Sequence, residues 1–162
     1  IRRRVADIKQ NMLSNNPSNY PVIIGMGSRT NPLPRLMYGK EEYIKQQHMI
    51  DKPKVVFNTH AQSPDVHDLG PIKIVPKGFI TSGDIIFIPC DYEQTCNNIK
   101  VYFESKLVKF IIKTVRTAIN NSKTLLAHIP CVDFTRSWTD EELYAHFNLT
   151  DEEIKMIESF VK

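Results

Sequence analysis

The sequence predicts an α+β domain. It has a mixed or antiparallel sheet in the N-terminal and middle part, one long amphipathic helix packed on it, and two short C-terminal helices. Three observations predict this. Short β-branched runs bounded by Pro, Gly and Asn recur up to Pro89. Beyond Cys90 the apolar pattern changes from a period of two to a period of 3.6. Two stretches that begin with Thr and continue with acids close the chain. Strands first and helices last is the order of an α+β domain.

The elements follow in order. Ile1, Val5, Ile8 and Met12 recur at helical spacing, so residues 1–13 read as a leading helix that Asn15, Asn16 and Pro17 end. Tyr20 to Gly25 reads as a strand, followed by a loop with Gly27, Ser28, Arg29, Thr30, Asn31, Pro32 and Pro34. Leu36 to Tyr38 reads as a short strand and Glu41 to Met49 as a short helix. Lys54 to Asn58 reads as a core strand after Pro53, and Thr59 to Gly70 as a long polar loop. Ile72 to Val75 and Asp84 to Pro89 complete the strands.

From Glu93 to about Ile119 the spacing predicts one continuous helix. Asn120, Asn121 and Ser122 end it, and Ser122 or Thr124 starts a further short element that Pro130 closes. Thr139 and Thr150 then head the last two helices. In each, the Thr oxygen accepts an orphan amide, and Glu142 or Glu153, three residues on, reaches back. The acids of these first turns also suit the positive end of the helix dipole.

The 162 residues fit one domain with length enough for a core. With 41% hydrophobic and 24% charged residues the composition is that of an ordinary globular chain. No apolar run reaches membrane-spanning length, so no membrane partner is expected, and the reduced-thiol reading of the three cysteines adds a cytoplasmic location. Cys90, Cys96 and Cys131 are odd in number and lack CxxC spacing, which argues for reduced thiols, without a disulfide framework or metal. Ile1 followed by Arg2, Arg3 and Arg4 is no secretory signal, and the expectation is a piece of a longer chain.

Few motifs suggest catalysis. Ile23–Ser28 (IIGMGS) has a strand followed by GxG, but the third glycine is missing and Pro32 and Pro34 stand where a phosphate-binding helix would begin. In Asn31-Pro32-Leu33-Pro34 the second proline and aromatic of a base-methylating signature are replaced, leaving nothing to stack on a flipped base. Pro64-Asp65 with Glu153-Ile154-Lys155 spells a nuclease pattern, yet the second half lies in a capped helix. His48, His60, His67, His128 and His146 form no metal pair at i, i+4 and no triad. No catalytic residue and no metal ligand is assigned.

The helix from Glu93 is more informative. On a continuous wheel Ile99, Phe103, Leu107, Phe110, Ile111, Val115 and Ala118 share one half. Lys106, Lys109, Lys113 and Arg116 fall on the other, with Tyr102 among them. No acid interrupts the row between Lys106 and Lys123. A solvated face usually mixes signs, so the row reads as a candidate for phosphate contact.

The tail Asp133-Phe134-Thr135-Arg136-Ser137-Trp138-Thr139-Asp140-Glu141-Glu142-Leu143-Tyr144, with Phe147, Leu149-Thr150-Asp151-Glu152-Glu153-Ile154 and Ile157-Glu158, resembles the C-terminal end of restriction–modification adenine-specific DNA methyltransferases. Lys52-Pro53-Lys54-Val55-Val56-Phe57, the strand to Pro89, the helix reaching Ser105–Phe110 and Ile129–Phe134 are similar to the preceding parts of their target-recognition region. The likeness spans roughly residues 52–162. It implies a DNA target-recognition domain over residues 1–132 and a capped helical tail over 133–162. The fragment would carry no catalysis of its own. A catalytic domain would precede it in the parent chain, which would use S-adenosylmethionine. The parent would be an N6-adenine methyltransferase, whether or not it is fused to a restriction endonuclease. The glycine motif for the methyl donor is absent from these residues.

Within that frame Lys106, Lys109, Lys113, Arg116 and Lys123 are the phosphate candidates. Arg29 and Asn31 in one loop, Asn58, His60 and Gln62 in another, and Asn120 and Asn121 beyond the helix are the base-reading candidates. Double-stranded DNA is the expected partner, together with the parent's catalytic domain. Two other readings stand beside this one: a restriction nuclease module, which needs a carboxylate cluster, and a protein-interaction module that docks through the acidic tail.

Overall fold

A computed structural model describes residues 12–17, 19–25, 35–40, 42, 50–60 and 68–161. Among the described residues the fold is α+β, with two sheets in the N-terminal and middle part and five helices in the C-terminal part. The strands are β1 (Leu13–Ser14), β2 (Tyr20–Gly25), β3 (Arg35–Gly39), β4 (Lys54–Asn58), β5 (Lys73–Val75), β6 (Ile80–Thr81) and β7 (Ile85–Pro89). The helices are α1 (Glu93–Glu104), α2 (Lys106–Val115), α3 (Lys123–Ala127), α4 (Asp140–His146) and α5 (Asp151–Phe160).

The sheets are separate. A mixed sheet runs β1-β3-β2-β6, with β3 antiparallel to β1 and β2, and β6 parallel to β2. An antiparallel sheet runs β5-β4-β7. In β4 the residues Lys54, Val55, Val56 and Phe57 are all buried, as a central strand covered on both faces requires. The two-residue period divides them. Val55 and Phe57 enter the main core with Ile86, Ile99 and Phe103. Val56 points the other way, into a cluster with Val75, Ile85, Phe87 and Ile23 of β2. Burying a side chain such as Phe57 stabilises by roughly 1.5–3 kcal/mol.

Two expectations are corrected, in part or whole, and a third falls outside the described residues. The leading helix falls mostly outside the described residues, and Leu13, its last position, pairs with Gly39 in a strand instead. The short helix expected at Glu41–Met49 also lies outside them, apart from Glu42, which is ion-paired to Lys40. The long helix is two helices, interrupted at Ser105, whose ψ is 155°. Ser105 Oγ accepts from Val108 N–H at 3.3 Å, and its own N–H donates to Tyr102 O at 3.1 Å. A short hydroxyl side chain offers the backbone this alternative to continuing the helix. The break resets the wheel. Val108 and Ile112 are fully buried, Phe110 and Ile111 only partly, and Ala118 lies exposed beyond the helix. Tyr102 belongs to the core and not among the cations, with its hydroxyl donating to Pro130 O at 2.6 Å.

The tail folds as its spelling requires. Both capping boxes are complete, Thr139 with Glu142 and Thr150 with Glu153. Asn148 follows α4 at φ 52°, a left-handed position that asparagine tolerates. Trp138 N–H donates to Asp133 O at 2.7 Å, and the Arg136 guanidinium lies 3.7 Å from the Trp138 ring centroid. Trp138, Leu143, Tyr144 and Ile157 share the main core with Val55 and Phe57. No helix among the described residues is long and apolar enough to cross a membrane.

Candidate nucleic-acid interface

Two polar segments, far apart in sequence, meet at one end of the antiparallel sheet. Just past β4, Thr59 is pinned to the loop before β7 by its N–H donating to Asp84 O at 2.9 Å. His60 then forms an antiparallel bridge with Asn120. Asn121 N–H donates to Thr59 O at 2.7 Å and closes this short ladder. Both His60 and Asn120 are exposed. His60 Nδ1 lies 2.8 Å from Thr59 Oγ1, which orients the ring.

Asn121 and Arg116 hold this arrangement from behind. The Asn121 amide donates to Asn58 O at 2.8 Å and Leu69 O at 2.9 Å. Its carbonyl accepts from Arg116 Nη2 at 2.9 Å. Arg116 Nη2 also donates to Asp68 O at 2.9 Å, and Nη1 to Ile119 O at 3.3 Å. Burial pulls the guanidinium below its ordinary pKa and the Asp68 charge opposes this, yet an arginine remains cationic. One buried amide thus ties together the end of β4, the turn at Leu69 and the segment after α2.

The candidates among the described residues have definite places. Asn121 is 1% exposed with its amide committed internally, so it positions the loop and does not face a base. Asn58 is half-buried at the end of β4, and Asn120 and His60 are the exposed pair. Arg29, Asn31 and Gln62 lie outside the described residues. So do His48, His67, Pro64 and Asp65.

The cationic row is not one free face. Lys106 Nζ donates to Glu158, which holds the lysine above its ordinary pKa. Lys113 sits 3.8 Å above the Phe160 ring centroid, itself edge-on to Phe110. Arg116 is committed as above. Among the described residues no ion pair or hydrogen bond engages the side chains of Lys109 and Lys123.

A pocket of about 180 Å³ opens between the end of α2 and α3. It is lined by the apolar Val115, Ala118 and Leu125 and by the polar Arg116, Thr117, Asn120, Ser122, Thr124 and His128. Thr124 and His128 belong to no metal pair, triad or polar loop that the sequence marks. The i, i+4 spacing of these two residues, once Ser122 is recognised as the cap of α3, places them on one face. No protein-family model matches this chain, and no curated protein or solved structure matches it. Among the described residues no group of three or more His, Cys, Asp or Glu side chains could hold a metal ion.

Proposed function

We propose that the chain is the double-stranded DNA recognition domain of a restriction–modification adenine methyltransferase. No catalytic step lies within these residues. In this reading the methyl donor, S-adenosylmethionine, binds the parent's preceding catalytic domain, which carries out the transfer. The observation that carries the reading is the bridged edge of His60 and Asn120. It presents two exposed side chains with donors and acceptors, and the exposed Lys123 follows Asn120 by three residues. Amide and imidazole groups suit base edges, whereas lysines near them suit phosphates.

The edge is held by a buried network, not by mobile side chains. A pre-formed edge lowers the ordering cost of binding. The acidic tail takes no direct part in this reading. Its carboxylates cap α4 and α5 and engage Lys106 and Arg136.

The experiment is binding of the full chain to duplex DNA across a salt series. Binding at low ionic strength that weakens steeply as salt rises supports the reading. A chain that retains no duplex even at low salt overturns it.

A further inference from the structure

The pocket between α2 and α3 differs from an ordinary surface dimple in its lining. All six polar residues that line it, Arg116, Thr117, Asn120, Ser122, Thr124 and His128, carry donors, and among the described residues no carboxylate lines it. Arg116 brings a fixed positive charge, held by three oxygen acceptors. Its Nε–H is shielded from solvent and has no acceptor. Asp68 lends negative charge to that guanidinium but does not line the pocket.

The end of a helix ordinarily repels anions through its free carbonyls. Here the C-cap Arg116 sits at that end: its N–H donates to Ile112 O at 2.9 Å, and its guanidinium sets a positive charge beside the remaining carbonyls. Size narrows the occupant further. At about 180 Å³ the pocket far exceeds the roughly 10–15 Å³ that one water needs. It falls short of the roughly 300–1,000 Å³ of sites for drug-sized ligands. A single tetrahedral anion with part of its attached group fits that interval. Position supplies the source, because Asn120 belongs both to this lining and to the edge bridged with His60.

We propose that this pocket seats one phosphate of the DNA backbone and so sets the register of the duplex on the His60–Asn120 edge. The inference rests on the DNA-recognition reading and deepens it. Thr124 and His128 are exposed side chains on a short helix, so they can be altered without touching the buried Arg116–Asn121 network.

The test is phosphate-ethylation interference on duplex DNA, with the wild-type chain and the double variant Thr124→Val/His128→Ala. Losing one or two neutral hydrogen bonds should weaken binding by roughly two- to tenfold. The loss should be equal for all sequences, because a phosphate carries no base identity. Interference should disappear at a single phosphate in the variant and persist at the others. His128→Lys should keep interference at that phosphate. An interference pattern identical in wild type and double variant overturns the pocket assignment and leaves the DNA reading standing. A changed sequence preference overturns it in favour of a base pocket. Inorganic phosphate that shields His128 from diethyl pyrocarbonate where duplex DNA does not assigns the pocket to a free anion and also overturns it. A wild-type chain that binds no duplex defeats both readings together.

Discussion

Lys106, in the first turn of α2, is ion-paired to Glu158 in α5, 52 residues further on. The same carboxylate accepts from the Tyr144 hydroxyl at 2.8 Å, and Lys106 N–H donates to Asp140 Oδ1 at 2.8 Å. The acids of the tail are therefore complementary to the basic start of α2. This gives the tail a structural reason for its charge that needs no external partner.

An acid-sensitive tail follows from that contact. Hydrogen bonds from Lys106, then Tyr144, hold the Glu158 carboxyl below its ordinary pKa. Such a group contributes its stability fully above the ordinary carboxylate range, about pH 4.3, and loses it as pH falls through the lowered folded value. Asp133, Glu142 and Glu153 are lowered in the same direction by neighbouring amides and hydroxyls. Wild type should exceed Glu158→Gln in stability at pH 7, and the gap should close below the carboxylate range. Urea unfolding followed by Trp138 fluorescence measures it. A gap independent of pH would show that Glu158 does not act through its charge.

Charge and specificity should separate on the interface. Lys109→Glu and Lys123→Glu should weaken all duplexes alike and flatten the salt dependence by roughly one unit of slope for each lost contact. Lys106→Gln should change DNA binding less, because its ammonium is already engaged by Glu158. Asn120→Ala should instead alter preference at one base position, by roughly 1–3 kcal/mol. Selection of binding sites from a random duplex pool reads this directly. An Asn120→Ala profile identical to wild type would remove Asn120 from the reading edge.

Asn121→Ala should be the most destabilising change in this region, although the residue lies outside any helix or strand. It removes two donated bonds and one accepted bond, leaving Asn58 O, Leu69 O and the Arg116 guanidinium short of partners. Stranding buried polar groups costs about 1–3 kcal/mol each, so a loss of at least about 3 kcal/mol is expected. Asn120→Ala, one residue away and exposed, should cost well under 1 kcal/mol. Denaturant unfolding of the pair measures the contrast. Equal effects would mean the Asn121 network contributes little.

That contrast also shows what the sequence made legible. Asn120 and Asn121 look alike in the chain, and only the His60–Asn120 bridge turns one outward and the other inward. The strands at Tyr20–Gly25 and Lys54–Asn58 and both capping boxes were readable, because each rests on a local pattern. The break at Ser105 was not. An apolar period of 3.6 continues across it, and a single serine between Glu104 and Lys106 is common inside helices. The strand β6 was hidden by its two-residue length, since its partner β2 lies more than fifty residues earlier. The cationic row was legible as a row. What it meets depended on where α5 returned, bringing Glu158 to Lys106 and Phe160 to Lys113.

Lys54 provides a test of the core at alkaline pH. Its side chain is 1% exposed in the central strand, and its ammonium donates to Lys52 O at 2.6 Å. Burial lowers its pKa from 10.5 to about 8, opposed by the nearby Cys96 and Asp51. Between those two values the unfolded chain holds a proton that the folded chain has released. Stability from this group therefore rises with pH across that window, by up to about 1.4 kcal/mol per unit. Below the window the charged amine stays buried and its cost is fully present. Lys54→Met retains the bulk of the side chain without the charge. The variant should compare best with wild type at pH 7 and lose that advantage progressively toward pH 10. Comparing the two chains cancels the titration of groups distant from Lys54. Chemical unfolding under reducing conditions at pH 7, 8.5 and 9.5 measures the difference. Curves that stay parallel across the series would mean that Lys54 is not charged and desolvated in the fold as described.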